Sequence, residues 1–291
     1  MILSPTDTIL LYGDSGDGKT AQIGHLALAI YKESKKKTRL YPADQGGAWE
    51  TVQPLINVGI IELEHYQPGV SGDPWKWVRS TTSGMVKRNG VWTRDLKDIG
   101  LLAYEGIVSY GEQLANDTAT KAALGVHSGG EKRFALVTEA GTISGMNQTD
   151  YGLLQVRLRE EIWLSQANGL PVVWSTSVRR LSPEKAQKKG IDRLIGPEII
   201  GDAMTGAGPR WFKYCLRIEQ VSPTRHVLYL GGYRDLQAGN LKTLGNARTS
   251  LYGTDVAVPA TIEPADLVKA LSILKQREAA ATVAVKKEAG L

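Results

Sequence analysis

Thr8-Ile9-Leu10-Leu11-Tyr12-Gly13-Asp14-Ser15-Gly16-Asp17-Gly18-Lys19-Thr20 decides how this chain is read. An aliphatic run ends in G-x-x-x-x-G-K-[ST], and the residues after it carry Ile23, Leu26, Ala27, Ile30 and Tyr31 at helical spacing. Strand, glycine loop and helix in that order make a cradle for phosphate. The glycines let successive N–H groups turn inward, and the helix adds the positive end of its dipole. The expected binding residues are Gly13, Asp14, Ser15, Gly16, Asp17, Gly18, Lys19, Thr20 and Ala21. Lys19 is expected to reach the β- and γ-phosphates of a nucleoside triphosphate, ATP, and the Thr20 hydroxyl to be one ligand of a bridging Mg²⁺. Asp14 and Asp17 bring negative charge into the loop, so their side chains are expected to face outward or toward a partner subunit.

Outward from this unit, apolar runs and helical periodicities alternate, which predicts an α/β fold: a mainly parallel sheet flanked by helices. Further strands are expected at 39–43, 58–63, 99–104 and 172–176. A helix over 151–168 carries Leu154, Leu158, Ile162 and Trp163, and a β-hairpin is expected from 214–220 and 226–231. A last helix begins around Pro264, carries Leu267, Leu271 and Leu274, and fades from Glu278. Two polar stretches, 66–98 and 116–150, read as excursions from a core spanning 1–255. Residues 256–291 form the C-terminal helix and tail.

Composition sets limits. With 291 residues and 42% of them hydrophobic, one large α/β core is affordable, and 32 glycines with 12 prolines suit many turns without low complexity. The single Cys215 excludes an internal disulfide and a cysteine-based zinc site; it reads as a small buried hydrophobe in a reducing compartment. His25, His65 and His226 stand apart with no metal-ligand spacing, and His127 sits in a glycine-flanked loop. No signal-peptide pattern and no apolar stretch of about 20 residues is visible, so a soluble cytoplasmic protein without membrane contact is expected. The net charge of +5 favours polyanionic partners without identifying one.

Ligands of open α/β sheets sit at the carboxyl ends of the strands, and three polar termini occur there. Glu105 can hold Mg²⁺ directly or through water. Asp44 can orient or deprotonate an attacking water, or equally cap the next turn. Thr176 and Ser177 can sense the γ-phosphate, or simply leave the sheet into a solvated loop. After them comes the most basic stretch of the chain, with Arg179, Arg180, Lys185, Lys188 and Lys189, a candidate DNA contact that reads phosphates rather than sequence. Trp75, Trp77 and Trp92 can stack on unpaired bases or pack a small satellite core.

The order of the phosphate loop, Tyr41-Pro42-Ala43-Asp44-Gln45-Gly46-Gly47, Leu102-Ala103-Tyr104-Glu105-Gly106, Asp150-Tyr151-Gly152 and Val173-Trp174-Ser175-Thr176-Ser177 resembles the phage nucleotide-binding proteins of the RecA-like P-loop ATPase superfamily. So does Ile195-Gly196-Pro197-Glu198-Ile199-Ile200-Gly201-Asp202-Ala203, and the similarity spans roughly residues 6 to 250. The resemblance implies ATP hydrolysis, a water-activating glutamate at the position of Asp44, and an aspartate at the position of Glu105. The two acids are therefore exchanged in type here. It also implies ring or filament assembly of identical subunits, in the host cytoplasm, with a neighbour's arginine at the γ-phosphate; Arg210, Arg234 and Arg248 are candidates. DNA-binding loops are implied after the fourth and fifth strands. The function this points to is an ATPase acting on DNA, on single strands in recombination or repair. A genome-packaging motor and a nucleotide-gated, non-enzymatic assembly protein are the alternatives.

Overall fold

Ile9 and Leu11 point to one face of a sheet and Leu10 and Tyr12 to the other, and all four are fully buried, so β1 (Thr8–Tyr12) is a central strand covered on both sides. The computed structural model describes residues 3–44, 46–67, 71, 73–123, 135–138, 141–144, 148–180, 195–199, 207–230, 233–234, 241–243, 246–247 and 256–290. Along the chain, β1 is followed by α1 (Lys19–Ser34), β2 (Lys37–Pro42), α2 (Gln53–Asn57), β3 (Ile61–Leu63), α3 (Pro74–Thr82), β4 (Ile99–Glu105) and α4 (Ile107–Ala123). Then come α5 (Gln148–Gln166), β5 (Val172–Thr176), β6 (Tyr214–Ser222), β7 (Arg225–Tyr229), β8 (Asn246–Ala247), β9 (Thr261–Ile262) and α6 (Leu267–Glu288).

Among the described residues the main sheet runs β9-β7-β6-β1-β5-β4-β2-β3, with β8 also paired to β6. The six strands from β6 to β3 are parallel, and β7, β8 and β9 add antiparallel. The expected α/β class with a mostly parallel sheet and a hairpin late in the chain is what the structure has. One face packs under α1 and α6 through Ile23, Leu26, Leu101, Leu216, Leu267 and Leu271. The other packs under α3, α4 and α5 and is aromatic: Tyr41 stacks on Tyr104 (5.1 Å), Tyr104 on Trp174 (4.4 Å), and Tyr110 meets Trp174 edge-on (4.9 Å).

Several local expectations are corrected. Residues 66–98 are not simply an excursion: α3 carries Trp77 and Val78, both fully buried, into the aromatic core, so Trp77 cannot stack on a nucleic-acid base. Trp75 and Trp92 pack beside that core, with the Arg157 guanidinium 4.0 Å over the Trp75 ring. Val58 belongs to a turn, 69% exposed, because the chain reverses through Gly59 at φ 73°; β3 starts only at Ile61. Leu154, Leu158 and Ile162 on α5 are buried as expected, whereas Trp163 faces outward under Arg159. Cys215 is fully buried, and its thiol is pushed up by that burial.

The last helix starts three residues after Pro264, where the Asp266 carboxylate accepts from the Lys269 N–H (2.9 Å). Its run of Ala, Lys and Glu continues to Glu288 rather than fading, as such helix formers favour. Gln22 of α1 fastens its start, donating to the Ala265 carbonyl (2.9 Å) and accepting from the Leu267 N–H (2.7 Å). Farther along, Lys275 and Lys213 converge on the fully buried Asp7 carboxylate (2.6 and 3.0 Å), which also accepts from the Ser4 N–H (2.6 Å). Replacing Asp7 with Ala strands two partly buried ammonium groups. We expect a loss of about 2–3 kcal/mol in urea unfolding, less than for a fully buried pair because Glu278 still faces both lysines.

Candidate functional site

Strand register brings the polar termini to one edge. Tyr12 pairs with Thr176, and Glu105 pairs with both Ser175 and Pro42, so β1, β5, β4 and β2 end together. Just beyond them lies a cavity of about 420 Å³, lined by Ser15, Gly16, Gly18, Lys19, Thr20 and Ala21, with Asp44, Glu105, Thr176 and Ser177 opposite. A cleft of that size can hold a small ligand.

The loop enters this edge through Gly13, where an added Cβ would lie 2.5 Å from the Ile218 carbonyl oxygen, so no larger residue fits. Gly16 and Gly18 take left-handed conformations (φ 87° and 92°) that only glycine adopts without strain. Helix α1 begins with Gly18 as its N-cap, with no side-chain cap and no acidic residue in its first turn. Its first N–H groups therefore present uncompensated positive charge to the cleft, the arrangement that suits an anion. Lys19 Nζ donates to the carbonyls of Gly13 (3.0 Å) and Asp14 (2.7 Å), and burial pulls its pKa down, opposed by Asp17, Glu105, Asp14 and Asp44.

Opposite the loop, Thr20 Oγ1 donates to Glu105 Oε1, joining the start of α1 to the end of β4. The Glu105 side chain is 4% exposed and its Oε2 is a buried atom without a hydrogen-bond partner. Burial raises its pKa, opposed by the Thr20 hydrogen bond and the Lys19 charge, while Asp44 adds to the rise. A hydroxyl beside a buried, half-satisfied carboxylate is a hard oxygen donor pair that fits a divalent cation. Among the described residues there is no group of three or more His, Cys, Asp or Glu that could hold a metal ion.

The other expected residues divide. Asp44 is exposed in the cleft wall, and its Oδ1 accepts from the Gly46 N–H (3.0 Å), so it does cap its own turn while facing the site. Thr176 Oγ1 donates to the Glu198 carbonyl (2.5 Å), which commits its proton and leaves Ser177 as the exposed hydroxyl at that strand end. The outward expectation fails for Asp17, which is buried: its carboxylate accepts from the N–H groups of Asp14 and, at 2.9 Å, of Gln220, bracing the loop against β6. Asp14 does face outward, but onto Arg180 of the same chain. Arg179 is half-buried, and Lys185, Lys188 and Lys189 lie outside the described residues, as do His127 and Arg248. Arg210 is exposed in the 3₁₀ turn Gly208–Trp211, and nothing is described of the Arg234 side chain.

No protein-family model and no curated protein matches this chain. The site therefore rests on its own geometry. Two contacts went unread in the sequence: that of Ser175, whose Oγ accepts from the Gly106 N–H (3.3 Å), and the pairing of Asp14 with Arg180. Gly106 carried a signal, a glycine directly after a strand-end acid, and it turns the chain into α4 at φ 86°. No helix among the described residues is long and apolar enough to cross a membrane.

The buried carboxylate makes a stability prediction. Because the folded-state pKa of Glu105 lies above the ordinary value near 4.5, the folded chain keeps this proton where the unfolded chain has lost it. Its contribution is favourable below that value and disappears as pH rises through the folded pKa. Glu105→Gln should flatten this part of the pH profile and raise neutral-pH stability by about 1 kcal/mol, roughly 2–4 °C, read by thermal melts from pH 4 to 8.

Proposed function

We propose that this chain binds ATP on Gly13 to Ala21 and hydrolyses it in a magnesium-dependent reaction, as a RecA-like protein that acts on DNA. The observation that carries the reading is the meeting of Thr20 with Glu105 across the cleft, directly in front of uncapped N–H groups at the start of α1. A glycine turn without a ligand has no need of a buried, half-satisfied carboxylate beside it.

In this reading the main-chain amides and Lys19 bind the phosphates, and Lys19 leaves the carbonyls of Gly13 and Asp14 to do so. Thr20 and Glu105 would hold the Mg²⁺, which when bound neutralises charge on the phosphate oxygens. Asp44, exposed on the cleft wall, orients the attacking water and accepts its proton, and Ser177 hydrogen-bonds the terminal phosphate. DNA contact is assigned to the basic stretch after β5, supported by its charge and its exit from the site edge. Subunits assemble into a ring or filament in which a neighbour's arginine meets the γ-phosphate.

A nucleotide-gated assembly protein is the second reading, favoured by the hydrogen bond that ties Asp44 to its own turn. ATP turnover decides between them. Lys19→Ala should abolish turnover and weaken nucleotide binding; unchanged turnover would remove the assignment. Asp44→Asn should slow turnover by roughly 10²–10⁴-fold with binding retained, and wild-type binding without turnover selects the gate. Neutralising Arg179, Lys185, Lys188 and Lys189 together should weaken DNA affinity and reduce its salt slope, measured by fluorescence anisotropy on single-stranded and duplex DNA.

A further inference from the structure

Arg180 ends a short strand, Val178–Arg180, that pairs antiparallel with Ile195–Pro197. The base of this ribbon is fixed at the cleft, where Thr176 donates to the Glu198 carbonyl and the Glu198 N–H donates to the Ser177 carbonyl (2.8 Å). From that base the guanidinium reaches back to the glycine loop: Nη1 donates to Asp14 Oδ1 (2.7 Å) and Nη2 to Asp14 Oδ2. Asp14 is itself bound into the cradle, since its carbonyl accepts from Lys19 Nζ (2.7 Å) and its N–H donates to Asp17. The arginine is thus held by a carboxylate on the residue that also engages the loop lysine.

We infer that Arg180 is a phosphate-binding arginine supplied by the same chain, and that the Asp14 carboxylate is the anion it holds until the terminal phosphate of a bound nucleoside triphosphate takes that place. The inference rests on the nucleotide reading above. A guanidinium fork fits a carboxylate and a phosphate with the same two-point geometry, so one can replace the other at Arg180. The pair is accessible for exchange, with the Arg180 side chain 54% exposed and that of Asp14 41%. A polyphosphate bound at the loop would also weaken the pair. Lys19 and Arg217 act on the Asp14 carboxylate alongside Arg180, and a polyphosphate that draws Lys19 away brings like charge toward Asp14. Lys19 spans the β- and γ-phosphates, so the γ-phosphate, which only the triphosphate carries, is the one assigned to Arg180. The exchange makes the ribbon beyond Ser177 sensitive to whether a triphosphate or a diphosphate is bound.

The test is the equilibrium affinity of the full chain for ATP and for ADP, each with magnesium, in wild type, R180A, R180K, D14N and D14N/R180A. The expected result is a loss of about tenfold or more in ATP affinity for R180A, with ADP changed by no more than about twofold and R180K recovering part of the loss. D14N should tighten ATP binding, and most of that gain should vanish in the R180A background. Equal effects of R180A on ATP and ADP, no effect on either, or a D14N gain indifferent to Arg180 would overturn the inference. A wild-type chain that binds neither nucleotide overturns the nucleotide reading and this inference together. Binding of both, with the ATP-to-ADP ratio unchanged in R180A, overturns this inference alone. Melting curves of R180K and D14N, both altered at exposed side chains, verify that affinities are read on folded protein.

Discussion

Thr20 and Glu105 are 85 residues apart in the chain and share a hydrogen bond at the carboxyl edge of the sheet. That contact depends on β1 and β4 being separated by one strand, β5, and on all three ending at the same level. A shift of β4 by one residue would turn Glu105 to the other face of the sheet, away from Thr20. The register is therefore the constraint on which the cleft, the loop and the acid jointly depend, and the unlike packing of the two buried faces, aliphatic on one and aromatic on the other, is what specifies it.

The aromatic layer shows how that register is held. Tyr41, Tyr104 and Trp174 lie side by side on β2, β4 and β5, and their rings stack across the strands. Each stands immediately before a residue at the site edge: Pro42, Glu105 and Ser175. Large rings packed in sequence leave little freedom for sliding, since an offset stack is lost with a shift of one residue. Polar side chains at the edge are positioned by apolar ones directly beneath them. Arg39 gives the outer part of this sheet a similar anchor, buried and bound to Glu62 (2.7 Å) and to the carbonyls of Gly84 (2.7 Å) and Asp95 (2.8 Å).

What the sequence made legible was local. The strand, loop and helix at residues 8–34 are specified by neighbours a few positions apart, and Asp44, Glu105 and Thr176 could be placed because each follows an apolar run. Failures arose where distant partners decide. Asp17 turns inward because the Gln220 N–H, on a strand far along the chain, offers it a donor. Trp77 is core although charged residues surround it in sequence, because α3 is only nine residues long and shows one apolar face too short to stand out. The pairing of Asp14 with Arg180 has no pattern in the sequence, because only the fold brings them together.

Both sheet neighbours of β1 come late: β5 at residues 172–176 and β6 at 214–222. During synthesis the glycine loop thus leaves the ribosome on a strand with nothing beside it, and an apolar segment waits for partners that emerge some time afterward. A nascent chain ending before β6 lacks Ile218 behind Gly13 and the Gln220 N–H that braces Asp17. A chain cut before residue 214 accordingly leaves the glycine loop without its backing strand, so the cradle takes its shape from a segment about two hundred residues away in sequence.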